Sequence, residues 1–249
     1  MFVIIKIIGF LVASGLMLIP LTRKKFEQII PLMATGPQYT FYWGKFPDFL
    51  KRLLISVVGI VVLLLLRSFL GEDSEGILFL IGIFLGLYWL WGPVLWASIR
   101  NASNRKLPYS GFWRGQVLDI YITEELIGEE ETVNKKGQLV IVENRERRLN
   151  IEVGDETGFT TQLQVPLRRE HKAIAPGLIA EMLVMSYRGD LSSIVKTSDI
   201  YIPDRNLWVS DYPYLRRDLF AEVSRQLEYP DDEREYRSER PTRTKRRRR

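Results

Sequence analysis

Two apolar runs, residues 53–70 and 76–99, are separated only by a break that holds Glu72, Asp73 and Glu75. The first run carries one charge, Arg67, and the second carries none. Crossing the hydrocarbon core of a bilayer takes about 20 apolar residues in a helix. Inside lipid every backbone N–H and C=O must be satisfied within the segment, and runs that do not alternate do this only as helices. Residues 53–99 therefore predict a transmembrane helical hairpin. Its acids form the tip, and Gly71 and Gly76 end one helix and release the next.

The flanking charges set an orientation. Lys51 and Arg52 precede the first run; Arg100, Arg105 and Lys106 follow the second. Basic residues collect on the cytoplasmic side, so both bases of the hairpin are expected there, or on the stromal side of a thylakoid. The loop Glu72–Glu75 is expected opposite. Arg67 lies near the tip, where it can snorkel or pair with Glu72 or Asp73. Tyr88, Trp89, Trp91 and Trp96 suit an interfacial aromatic belt, against either lipid or pigment, and Pro93 predicts a kink. Gly82 and Gly86 form a small-residue pair that lets helices approach closely. Packing within the hairpin, against Gly59, and docking to a partner's helix both remain open for it.

Residues 1–21 are a third apolar run, expected to be a retained transmembrane helix rather than a cleaved leader. Only Lys6 lies within it, whereas Arg23, Lys24 and Lys25 follow it, the reverse of a leader's basic start. Between this run and the hairpin, residues 22–52 interleave Tyr39, Phe41, Tyr42, Trp43, Phe46 and Phe49 with lysines. That mixture predicts a segment lying in the cytoplasmic interface.

Charge divides the chain again. Residues 1–99 hold 8 Lys/Arg and 5 Asp/Glu, residues 100–228 hold 18 and 20, and residues 229–249 hold 9 and 5. The middle is thus nearly neutral, without the basic face that nucleic-acid binding needs. No cysteine is present, which excludes disulfides, thiolate metal sites and a cysteine nucleophile.

After residue 106 the apolar period shortens to that of strands: Val117, Ile120, Ile122; Leu139, Ile141; Leu149, Ile151, Val153; Leu163, Val165. Turn chemistry recurs in VGDETGF, APG, RGDLSS and IPDRN. Residues 107–209 therefore predict a small all-β, barrel-like soluble domain. Residues 210–228 predict one amphipathic helix, with Ser210 or Asp211 at its cap, Pro213 in its first turn and Leu215, Leu219, Phe220, Val223 and Leu227 on one face. Residues 229–249 are almost free of apolar side chains and predict a disordered basic tail, either solvated or held to anionic lipid by its arginines.

No catalytic or cofactor motif is present: no phosphate-binding glycine loop, dinucleotide fingerprint, zinc-binding helix or nucleophile elbow. Neither a cofactor nor a metal site is expected. His171, the single histidine, reads as a solvated surface residue. The acid runs Glu124–Glu125 and Glu129–Glu131 lack the spacing of a calcium loop and read as a solvated strand edge or turn. The best candidate interaction surface is NLWVSDYPYLRRDLF, where Trp208, Tyr212, Tyr214, Arg216 and Arg217 are of the types that anchor interfaces. The same aromatics would equally pack the helix on the β domain.

The early hairpin, the stretch TSDIYIPDRNLWVSDYPYLRRDLF and the charged tail resemble a group of cyanobacterial membrane proteins, some of them labelled phosphate ABC transporter permease. The chain has neither a coupling-loop pattern nor enough spans for a permease. The resemblance implies a photosynthetic membrane and a place beside a photosystem or its assembly intermediate. Together these readings give a non-enzymatic, membrane-anchored accessory or assembly protein that binds a larger membrane complex. The alternative is an accessory subunit of a transporter.

Overall fold

The computed structural model describes residues 17–70, 75–133, 137 and 139–228. Its order is β1 (Met17–Pro20), α1 (Arg23–Ile29), α2 (Gly36–Trp43), α3 (Phe46–Leu70), α4 (Glu75–Gly86), α5 (Tyr88–Arg105), β2 (Tyr109–Val133), β3 (Leu139–Gly154), β4 (Thr160–Pro166), β5 (Ile179–Ser186), β6 (Ile194–Ile202), β7 (Leu207–Val209) and α6 (Arg217–Glu228).

Among the described residues the strands form one antiparallel seven-stranded sheet, in the path β4-β3-β2-β5-β6-β7, with β1 on β2. β2 serves three partners because it is 25 residues long. β1 and then β3 share one of its edges, and β5 takes the other. One face of the sheet supplies a single core from six strands, with Trp113, Leu149, Ile151, Val165, Met182, Ile200 and Val209 all buried together. Residues as distant in strand order as Val165 and Val209 belong to that one core, so the sheet is strongly coiled. No ladder between β4 and β7 closes it among the described residues. The opposite face carries Phe112, Leu183, Met185 and Tyr201 and is covered by Phe26, Ile29 and Ile30 of the α1 segment and by Phe220 and Val223 of α6.

Local chemistry explains the joints of the sheet. The β3–β4 hairpin turns on Asp155, whose Oδ1 accepts from the Thr157 and Phe159 amides and whose Oδ2 accepts from Trp113 Nε1 at 2.6 Å. Burial raises that carboxyl, but these hydrogen bonds outweigh it and hold the pKa below its usual value. Gly115 must be glycine: a Cβ there would lie 2.3 Å from the Trp113 ring and 2.5 Å from the Gly154 carbonyl oxygen.

Several expectations need correction. Three membrane helices were expected; among the described residues one helix is long and apolar enough to cross, Phe46–Phe69, and only 6% of its apolar window is buried. The second arm of the hairpin is broken. α4 is only 12 residues long, about 18 Å at 1.5 Å per residue, and α5 leaves it at 74°, so the pair counts as a second span only when taken together. The break falls at Leu87, between Gly86 and Tyr88; Pro93 lies inside α5. Trp91 Nε1 donates to the Phe84 carbonyl at 2.8 Å, satisfying one acceptor beside the bend. The first apolar run was expected to be a helix to residue 21. Its described end is instead β1, a strand paired to Gly111–Arg114; residues 1–16 lie outside the described residues. The C-terminal helix begins at Arg217, so Pro213 sits before it.

The segment expected in the membrane interface divides. α1 belongs to the β domain through Phe26, Ile29 and Ile30, whereas α2 lies along α5. His171, expected at the surface, is 4% exposed. Its Nδ1 accepts from the Arg168 amide at 3.2 Å, and burial lowers its pKa.

Candidate functional site

The hairpin is zipped from within. Side chains of α3 and α4 meet at glycines: a Cβ on Gly59 would contact Leu85 at 3.5 Å, one on Gly82 would contact Leu63 at 3.4 Å, and one on Gly86 would contact Ile60 at 3.2 Å. Gly82 and Gly86 therefore face α3 of the same chain. Arg67 pairs with Glu75 across the tip; Glu72 and Asp73, its other expected partners, lie outside the described residues. At the base, Trp43, Phe49 and Trp89 pack edge to face, and Ser56 Oγ accepts from the Trp89 amide at 3.2 Å.

Between this apolar half and the sheet lies a polar joint. Gln38 of α2 and Asn101 of α5, both fully buried, exchange two hydrogen bonds of 3.1 and 2.8 Å. Gln38 Nε2 also donates to the carbonyls of Pro213 and Tyr214, at 2.9 and 3.2 Å. On the other flank Arg23 donates to the carbonyls of Leu107 and Arg105, while Glu27 accepts from Arg23 and Arg105 at 2.7 and 2.8 Å. The strap 210–216, which links β7 to α6, is fastened to the helices by Gln38 and to the domain by the Arg216 amide, which donates to the Ile29 carbonyl at 2.8 Å.

A cleft of about 210 Å³ opens beside the strap, where β4 comes round toward β6. Arg100 of α5, Leu163 and Gln164 of β4, Asp199 of β6 and Tyr212 and Tyr214 of the strap line it. Asp199 is 1% exposed. Its Oδ1 accepts from the Tyr214 amide at 2.9 Å, and its Oδ2 has no hydrogen-bond partner among the described residues. Burial pushes this carboxyl up to about 7, against the opposing pull of the Tyr214 amide and of Arg217. Tyr212 is fully buried and its Oη is likewise unpartnered; burial raises its pKa. Arg100 lies 4.0 Å over the Tyr212 ring and donates to Tyr214 Oη at 2.7 Å. Phe41 and Tyr42 pack against Tyr212 edge-on.

The residues singled out in the sequence divide between two places. Tyr212 and Tyr214 belong to the cleft. Trp208 stacks on Tyr201 at 4.5 Å and meets Phe220 edge-on, under Arg217, which donates to Ser210 Oγ at 3.2 Å. Arg216 is exposed, and its amide donates to the Ile29 carbonyl. Asp199 and Arg100 were missed. Asp199 sits in SDIYI, which reads as a strand like any other, and Arg100 reads as one more basic residue at a helix end. Among the described residues no three His, Asp or Glu side chains converge as a metal-ligand group.

A second feature stands apart. Past the pair Thr123–Arg148, β2 and β3 run on as a two-stranded ribbon. The ten residues of β2 to Val133 make it roughly 33 Å long at about 3.3 Å each. Pairing places Ile122, Leu126, Val133, Leu139 and Ile141 on the face that deeper in the domain carries the core residues Leu149 and Ile151, interleaved on the ribbon with Glu124, Glu129, Glu131, Glu143, Arg145 and Arg147. On the ribbon this face is uncovered: Ile122 is 56% exposed, Ile141 64% and Leu139 72%. Cross-strand pairs Arg147–Glu124 and Arg148–Glu125 hold its base.

Fold and site together define a coiled β-sheet protein fastened through a polar joint to an apolar helical hairpin. The chain belongs to DUF8619, a family of unknown function, whose model matches residues 19–235. No curated protein and no solved structure matches it.

Proposed function

We propose that this chain is a non-enzymatic, membrane-anchored accessory or assembly protein, and that its β domain binds a larger integral membrane complex through the β2–β3 ribbon. The observation that carries this reading is the set of uncovered apolar side chains on the ribbon, Ile122, Leu126, Val133, Leu139 and Ile141. A two-stranded ribbon alone is marginal in water, and exposed apolar side chains set among charged ones are the mixture of apolar core and polar rim that protein interfaces use. The β2 side of the ribbon holds Glu124, Glu125, Glu129, Glu130 and Glu131, so edge pairing with a second copy sets like charges together. The same acids suit a protein partner better than the anionic face of a bilayer. The polar joint supports the reading too, because it holds the ribbon at a fixed offset from the hairpin.

In this proposal α3 crosses the bilayer and α4 with the start of α5 returns through it. The β domain lies on the cytoplasmic or stromal side, with Lys51, Arg52, Arg105 and Lys106 at the interface. The resemblance seen in the sequence supports a photosynthetic membrane as the setting, with a photosystem or its assembly intermediate as the complex.

The test is co-purification of the full tagged chain in mild detergent. Replacing Ile122, Leu126 and Ile141 together by serine is expected to remove the co-purifying membrane proteins while detergent extraction and melting temperature stay as in the parent. Recovery of the same partners at the same yield would show that the ribbon is not the binding element.

A further inference from the structure

The cleft is lined by a cation and an acid that do not pair with one another. Arg100 is held only by phenols and has no carboxylate partner among the described residues. Asp199 also lines the cleft; it is buried, makes no ion pair among the described residues, and its Oδ2 has no hydrogen-bond partner there. Removing a charge from water without a paired, hydrogen-bonded partner is costly. Side chains placed only for stability would be expected to close on each other; here a cleft stands between them. A second cation, Lys196, lies 5.4 Å from the Tyr214 ring, so the Arg100 end is doubly positive.

We propose that the cleft binds a small zwitterion, its anionic group on Arg100 and Tyr214 Oη and its ammonium on Asp199 Oδ2 and Tyr212 Oη. The volume agrees with a small ligand: about 210 Å³ is below the roughly 300 Å³ at which drug-sized sites begin. The position agrees as well. Arg100 follows directly on Ile99, whose side chain is half exposed on the apolar side of α5. Such a ligand has two sources with the same chemistry, a free amine-bearing phosphate and the head group of a zwitterionic lipid. This inference is independent of the ribbon and of the partner proposed for it.

The experiment uses the full chain purified in detergent. Calorimetric titration with phosphoethanolamine is expected to show saturable binding. Inorganic phosphate alone and ethanolamine alone, each offering one charge, are expected to bind at least tenfold more weakly. Asp199→Asn, which keeps the shape and the Oδ1 acceptor, and Arg100→Gln are each expected to weaken phosphoethanolamine at least tenfold. Competition by nanodiscs of phosphatidylethanolamine, but not of phosphatidylglycerol, assigns the site to a lipid head group; binding without such competition assigns it to the free molecule. Absence of binding to both phosphoethanolamine and phosphatidylethanolamine overturns the proposal. So does phosphate or ethanolamine alone binding as tightly, a comparison that needs no variant to fold.

Discussion

Asp199 couples the joint to pH. Its carboxyl titrates near 3.9 in an unfolded chain and at about 7 when buried beside the strap. The folded state therefore holds this proton more tightly than the unfolded state. Its contribution to stability is complete below about pH 4 and is lost as pH rises through about 7. The loss is on the order of a few kcal/mol. The melting temperature of the parent protein in detergent should fall between pH 5 and 8, and Asp199→Asn should flatten that slope. A parallel slope in the variant would place the titration elsewhere. Glu181 makes the opposite kind of prediction. It pairs with Arg114 at 3.0 Å, across β2 and β5, where the two are 0% and 9% exposed. Glu181→Gln leaves the guanidinium buried without its counter-charge and should destabilise by about 3–5 kcal/mol, read as a lower denaturation midpoint. An unchanged midpoint would mean that water reaches Arg114.

At the scale of elements, the hairpin and the ribbon show how much a linear pattern reveals. The hairpin was legible because apolar length is a one-dimensional property, and 53–99 has enough of it for two arms. The bend at Leu87 was not, because Gly86 and Pro93 both offer a break and tertiary packing decides between them. In β1, MLIP is as apolar as the helix expected for it, but its backbone is satisfied by β2, a pairing no local window contains. The strands of the sheet could be read by their alternation. The long ribbon could not be told from core strands, since Ile122 and Ile141 keep the same period whether or not anything covers them. The cleft was half legible: Tyr212 and Tyr214 stood out by type, while Asp199 gained its role only from burial. Packing of the hairpin arms is directly testable. Gly86→Leu places a branched side chain where Ile60 Cδ1 already lies 3.2 Å from the Cβ position. It should lower the melting temperature by several degrees, at roughly 2–4 °C per kcal/mol for a chain of this size. Gly76→Leu, where a Cβ meets nothing within 4 Å, should leave it unchanged. Equal effects would mean that α3 and α4 are not in contact.

For the whole molecule, the account rests on α3 crossing a bilayer with the sheet at one end and Glu75 at the other. α3 exposes Leu54, Ile55, Leu64, Leu65 and Phe69 along its length, and in water this surface would drive association. The side proposed for the sheet, the role of the joint as an anchor and the proposed reach of the ribbon toward a membrane partner all depend on that crossing. The absence of native cysteine makes the crossing measurable. Glu75→Cys at the hairpin tip and Glu156→Cys in the exposed β3–β4 turn each create a single thiol. In sealed vesicles of one orientation, a membrane-impermeant maleimide should label one of the two and reach the other only after detergent is added. Labelling of both from the same side, in intact vesicles, would contradict the account.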